Sequence, residues 1–373
     1  MLSFKTAIPA SIIHPPIPSK MKHYFIILCT LLSLTLFSQT QNELANTKAR
    51  EAIKLMDKGE IDASISMLEE CQKMDPKDYT YPYEIAYAYM LKKEYPKAIS
   101  ILNKTKKYKN CNSQVYQMSG NCYSYLGQPE KAIKEYEAGI KIFPNAGNLH
   151  LEKGNVFFMQ EKYDEACSNY IKGLEADPMF PSNYYRLAKL FMSSDQKLPG
   201  LIYGEIFMNL ERTTKRASEM SELLYKTYQN SITINNDSTR VDFCKIVMSI
   251  DEIKDGKFKM PFCGMFGKNF MLGLAGQKEL NLKSLSEMRI RFIQNYFMED
   301  YKEYPNALFA YQKQLMDRNL MDAYTHYLLQ MGNPEEFKKW KEQNEELYNE
   351  FVDWYTYPKN ELVIHNTTIY YPN

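Results

Sequence analysis

Residues 113–144 decide the fold: Tyr116-x-x-Ser119-Gly120-x-x-Tyr123, then Gly127, then Ala132-x-x-x-Tyr136, then Pro144. Small and aromatic residues fall three and four apart on either side of Gly127, the spacing of two short helices that meet at a turn. Stepping by 34 from Gly120 lands on Ala52, Ala86, Gly154 and Ala188. The position three residues later reads Leu55, Tyr89, Tyr123, Phe157 and Phe191, and the small position of the second helix reads Ser64, Ala98, Ala132, Ala166 and Gly200. Two antiparallel helices approach closely only where side chains are small, and a ring then fills the space beside the crossing. Pro76, Pro144 and Pro178 follow the second helix of their units. Each stops it, because proline lacks an N–H and disfavours helix in the residue before it. Asn110 takes that place in the second unit, so a different turn is expected there.

This pattern resembles the tetratricopeptide repeat, which carries an aromatic, a small residue and an aromatic on one helix, then Ala, an aromatic and Pro on the next. The resemblance runs from Ala45 to about Arg212, with repeats at 45–78, 79–112, 113–146, 147–180 and 181–212, the last degenerate in its second helix. It implies an all-α fold: a right-handed solenoid of helical hairpins, followed by a C-terminal helical region, with a short irregular or β segment between. It also implies that first helices line a concave groove, with the residue after each small position pointing into it. Those residues are Ile53, Tyr87, Asn121, Asn155 and Lys189. Asn121 and Asn155 would donate and accept toward a peptide backbone, while Tyr83, Tyr87, Tyr125, Phe158 and Tyr185 would supply apolar contact area. Packing between repeats is the competing role for the same residues. The family's clamp for C-terminal carboxylates pairs Lys and Asn in an arrangement that this sequence does not match.

Composition agrees with a helical scaffold. Tyr (30) and Phe (19) are abundant and Gly (15) is sparse among the 373 residues, which suits helices packed through rings better than a sheet with many glycine turns. The 46 basic and 45 acidic residues are interspersed and leave a net charge of +1. No global field points to nucleic acid or an anionic membrane.

At the N-terminus, Lys20, Lys22 and His23 precede an apolar run from Tyr24 to Phe37. That run is long enough for a signal-peptide core and shorter than the ~20 residues of a spanning helix. Residues 1–38 are therefore expected to be an extension and signal peptide, with translation starting at Met1 or Met21 and cleavage after Ser38 or Thr40. The expected location is the periplasm or the cell surface, with no integral membrane segment after signal removal.

Beyond the repeats, 213–230 is expected to be a capping helix carrying Ala217, Met220, Leu224 and Tyr228. Residues 231–281 break the helical period and are expected to hold a hairpin or ordered loop before a helix near Gly267–Ala275. The region 282–373 returns to helix. Ser284-Leu-Ser-Glu287 has capping-box spacing, Pro305 is expected to open the next helix, and Gly332 to stop a third. Asn333 is expected to cap a last helix with Pro334, Glu335 and Glu336 in its first turn. Its stripe of Phe337, Trp340, Leu347, Phe351 and Trp354 is either core or a docking face. The signal segment and Gly332-Asn-Pro-Glu-Glu-Phe-x-x-Trp340 together resemble exported repeat proteins of Bacteroidetes-type bacteria.

Motifs for chemistry are missing. There is no Gly-x-Ser-x-Gly or His-Glu-x-x-His, and Gly264-Met-Phe-Gly267-Lys268 lacks P-loop spacing. His150 takes the bulky aromatic position of its repeat, which points to packing. No catalytic residue, metal ligand or cofactor is expected. Cys71, Cys111, Cys122, Cys167, Cys244 and Cys263 form no Cys-x-x-Cys pair; a disulfide, if present, would join Cys244 to Cys263. The function expected is that of an exported scaffold binding a protein or peptide in the repeat groove. The alternative is an accessory or enzyme-like protein with a site between the solenoid and the C-terminal region.

Overall fold

The computed structural model describes residues 41–234, 239–246 and 259–372, so the signal segment and its cleavage sites lie outside the described residues. The chain forms two compact units, which meet in sequence between Cys111 and Asn112.

The first unit contains α1 (helical over 41–57), α2 (Ile61–Met74), α3 (Thr80–Leu91) and α4 (Tyr95–Thr105). Ala45, Ala49, Ala52 and Met56 are the buried stripe of α1, at steps of three and four. The Tyr81 hydroxyl of α3 donates to Asn46 Oδ1 of α1 at 3.1 Å. Where Asn110 replaces the proline, α4 ends early and the chain leaves through successive tight turns that include Tyr108 N–H to Thr105 C=O and Cys111 N–H to Tyr108 C=O.

The second unit begins with three helical hairpins: α5 (Ser113–Tyr125) with α6 (Pro129–Ile142), α7 (Gly147–Met159) with α8 (Tyr163–Ala176), and α9 (Pro181–Met192) with α10 (Lys197–Leu210). Helices α2, α6 and α8 each stop two residues before the repeat proline. The turn inside the first four hairpins, but not that between α9 and α10, also recurs, with positive φ at Gly59 (84°), Lys93 (61°), Gly127 (68°) and Glu161 (60°). Two of these four left-handed positions carry side chains, a conformation that costs about 1–2 kcal/mol for an L-residue.

α10 departs from the repeat pattern. Every residue from Leu198 to Asn209 is buried, so this helix has no solvent face. α9, α11 (Lys215–Ser231) and α14 (Ala307–Met316) pack against it. α11, expected as a cap, itself meets α15 (Met321–Leu329), so both of its neighbours are helices of the same core.

The irregular segment contains an antiparallel hairpin of β1 (Ile232–Ile234) and β2 (Thr239–Val241), in register Ile232 to Val241. The following chain caps α10: Phe243 C=O accepts from Lys197 N–H at 2.7 Å and Leu198 N–H at 3.0 Å. Cys244 is joined to Cys263 in a disulfide across a Cα–Cα distance of 6.5 Å. Cys263 lies in α12 (Phe262–Gly273), which starts earlier than the helix expected near Gly267–Ala275, directly after Pro261.

Three C-terminal boundaries differ from expectation. α13 (Leu282–Glu299) is capped by Asn281, whose side chain accepts from Ser284 N–H while Ser284 Oγ accepts from Asn281 N–H; Ser284 and Glu287 are not the capping pair. Asn306, not Pro305, caps α14 by accepting from Leu308 and Phe309 N–H. The last helix is two helices, α16 (Pro334–Gln343) and α17 (Glu345–Thr356), parted at Asn344. The Asn344 side chain donates to Trp340 C=O at 2.8 Å, competing with the backbone for that acceptor. Asn333 caps α16 as expected. Of the aromatic stripe only Phe351 is buried; Phe337, Trp340, Leu347 and Trp354 pack half-buried against the core. The tail then lies back on the unit, burying Leu362, Ile364 and Ile369, and Tyr203 on α10 donates its hydroxyl to Tyr370 C=O at 2.8 Å.

Candidate functional site

The groove of the second unit is built on two glycines. A Cβ at Gly120 would lie 2.2 Å from the Tyr136 ring, and one at Gly154 would lie 2.5 Å from the Tyr170 ring. Their absence lets each second-helix tyrosine press on the first helix and reach the adjacent residue. Tyr136 donates to Asn121 Oδ1 at 2.7 Å, and Tyr170 donates to Asn155 Oδ1 at 3.0 Å. Burial raises both phenol pKa values, that of Tyr170 to about 12, so the hydroxyls stay donors.

A line of side-chain bonds joins α5 to α7. Ser113 donates to Asn148, Asn148 to Gln117 at 2.8 Å, and Gln117 to Glu152 Oε1 at 2.9 Å. Asn155 Nδ2 donates to Glu152 Oε2 at 3.0 Å, so the Asn155 amide is engaged at both ends. Asn121 commits only its oxygen in this way.

Beside this line lies an open cavity of about 470 Å³ lined by Asn121, Tyr125, Glu152, Asn155, Phe158 and Arg186. Tyr125 is 61% exposed and Phe158 41%, large apolar faces left in water. Phe158 also walls a second recess of about 550 Å³, with Tyr163, Cys167, Leu190 and Phe191.

The other expected groove residues are placed elsewhere. Tyr185 is buried and donates to Glu219 of α11 at 2.7 Å, and the Lys189 ammonium donates to the same carboxylate at 2.6 Å. That bond raises the Lys189 pKa and lowers that of Glu219. These two residues therefore fasten α11. Tyr83 and Tyr87 belong to α3 in the first unit, where Tyr83 is half-buried, its pKa pushed up to about 12 by burial, and Tyr87 is exposed.

Sequence reasoning missed a buried charge centre. Glu205 on α10 meets Arg289 on α13 through two bonds of 2.6 and 3.0 Å, and accepts also from Gln312 at 2.5 Å and Tyr324 at 2.9 Å. The signal was present: within the apolar α10 sequence, Glu205 is the one charge after Lys197. The cavity against this centre is about 20 Å³, space for a single water and not for a substrate.

Two histidines also have clear settings. His150 is half-buried with Nδ1 unpartnered, and burial, then Lys153 and Lys172, lowers its pKa. His326 stacks on Trp340 at 4.1 Å, with Nδ1 3.0 Å from Asp322 C=O. Ser286 donates to Asp322 at 2.5 Å and not to the imidazole, so no hydroxyl is set against a base there. Among the described residues, no group of three or more His, Cys, Asp or Glu is arranged to hold a metal ion, and no helix is long and apolar enough to cross a membrane.

Comparison with known proteins agrees with the repeat geometry. Models of the tetratricopeptide repeat match residues 49–109 and 113–146. Over 111 residues the chain is 29% identical to the Hsp70-Hsp90 organizing protein of Triticum aestivum, covering 30% of this chain and 19% of that protein. Over 60 residues it is 43% identical to RNA polymerase II-associated protein 3 of Mus musculus, covering 14% of this chain and 9% of that one. The chain thus spans about a fifth or less of the length of these relatives. Among solved structures, the type IV pilus biogenesis factor PilW aligns with a TM-score of 0.39 and 19% identity, over 50% of this chain and 85% of that one. YrrB, a TPR protein with an unusual peptide-binding site, aligns with a TM-score of 0.31 and 17% identity, over 45% and 87%. On the matched segments and the hairpins they form, this is a protein with tetratricopeptide repeats, at residues 49–109 and 113–146.

Proposed function

We propose that this chain is an exported scaffold, not an enzyme, and that it binds a protein or peptide segment in the groove of its second unit. The observation that carries the reading is the open cavity that gathers Asn121, Tyr125, Asn155 and Phe158. Exposed rings beside fixed amide groups suit an extended backbone, which needs area for affinity and a few polar partners for register. Asn121 offers its amide N–H, and Tyr125 and Phe158 offer the area. Asn155 supports the floor through Tyr170 and Glu152.

Export to the periplasm or cell surface, as in the Bacteroidetes-type repeat proteins that the chain resembles, is supported by the basic and apolar pattern of residues 20–37. The Cys244–Cys263 disulfide suits an oxidising compartment.

A library of peptides displayed as internal segments and selected on the full chain tests the groove. Selected peptides should lose affinity for Tyr125→Ala and Phe158→Ala, whose side chains are exposed and whose removal leaves the core intact. Equal binding to both variants would reject the groove. Export is tested by mass spectrometry of the natural protein after cell fractionation: an N-terminus at Gln39 or Gln41 outside the cytoplasm is expected, and a cytoplasmic protein retaining the apolar run would reject it.

A further inference from the structure

Arg186 lies on α9, half-buried and lining the cavity of about 470 Å³ beside Asn121 and Asn155. Among the described residues no hydrogen bond or ion pair engages its guanidinium. Glu152 lines the same cavity, yet its carboxylate already accepts from Gln117 and Asn155. A guanidinium offers five donors and no acceptor, so Arg186 gains most from a ligand that carries a carboxylate.

The apolar recess begins one helical turn further along α9, at Leu190. Residues four apart on a helix share a face, with Cβ atoms about 5–6 Å apart. In an extended peptide, side chains two positions apart share a face and lie about 6.6 Å apart. The two spacings match, and Phe158 is a common wall of both cavities.

We propose that the groove recognises an extended segment with an acidic side chain and a bulky apolar side chain two positions apart. The acid pairs with Arg186, and the apolar group enters the recess against Phe158, Leu190 and Phe191. This specificity rests on the groove reading above.

The test uses synthetic peptides acetylated and amidated at their ends, so that no terminal charge is present, and fluorescence anisotropy with the full chain. The frame Glu-x-Leu is compared with Gln-x-Leu, Glu-x-Ser and Glu-Leu without the spacer. Glu-x-Leu should bind best, with each control weaker by about tenfold, the scale of one charge-assisted bond or one buried side chain. Arg186→Gln, confirmed folded by its melting temperature, should make Glu-x-Leu and Gln-x-Leu equal. Equal binding of the Glu and Gln peptides to the natural chain would overturn the specificity, as would an unchanged preference in Arg186→Gln or a requirement for a free terminal carboxylate. If such peptides bind without discrimination yet weaken on Tyr125→Ala and Phe158→Ala, the groove stands and the acidic-apolar reading falls. Absence of binding by every peptide, or binding that ignores all three substitutions, overturns both.

Discussion

The Tyr136 hydroxyl bonds to Asn121 Oδ1 at 2.7 Å, and the Tyr170 hydroxyl bonds to Asn155 in the same way one repeat later. A residue that faces the groove is thus held from behind by the ring that packs the hairpin. Gly120→Ala would drive a methyl into the Tyr136 ring, which its hydrogen bond prevents from swinging away. The gain in helix propensity, about 1 kcal/mol, is outweighed by overpacking, and a net loss of about 1–2 kcal/mol is expected in urea unfolding. Tyr136→Phe should cost about 1 kcal/mol, and the double substitution Tyr136→Phe with Asn121→Ala less than the sum of the two.

Lys93 and Glu161 occupy the left-handed turn position that Gly59 and Gly127 fill without strain. Glu161→Gly, which also releases a left-handed side chain, should raise stability by about 0.5–1 kcal/mol after allowing for the added freedom of the unfolded chain. Glu161→Val should lower it, because β-branching adds to the strain. Denaturation midpoints of both variants check the sign.

Arg289→Met leaves the buried Glu205 without its counter-charge. A loss of about 3–5 kcal/mol is expected. Adding Glu205→Gln should recover much of that loss, since Gln312 and Tyr324 remain beside a neutral amide. Recovery in the double variant separates an orphaned charge from a simple cavity.

His150 has a folded pKa lowered from 6.5, so in the interval below 6.5 the unfolded chain binds more protons than the folded one. Stability from this residue is full above the unfolded value and falls as pH drops from about 6.5 toward the folded pKa. His150→Phe should flatten that part of the stability–pH curve and leave the neutral limb nearly unchanged. Thermal unfolding between pH 5 and 8 reads the difference.

Hairpin packing was legible because it depends on residue size at a fixed period: Gly120, Gly154 and Tyr136 announce it without any long-range information. The placement of Asn121 and Asn155, 34 residues apart, on the wall of one cavity was legible for the same reason. Lys189 occupies the position equivalent to Asn121 and Asn155 but is engaged, together with Tyr185, by Glu219, a partner outside the repeat pattern. Helix boundaries at Asn281, Asn306 and Asn344 turned on which of several polar side chains reaches a backbone group, and spacing alone does not settle that. The Glu205–Arg289 centre joins residues 84 positions apart and has no periodic trace.

The tail that covers α10 also sets an order of events during synthesis. Tyr203 finds its acceptor on Tyr370, 167 residues later. At about 5–20 residues per second, α10 emerges roughly 10–30 s before the segment that seals it. Through that interval the most apolar helix of the repeats stays open on one side. The apolar face of α10 is thus the last part of this core to be covered, and loss of residues 362–370 would leave it uncovered.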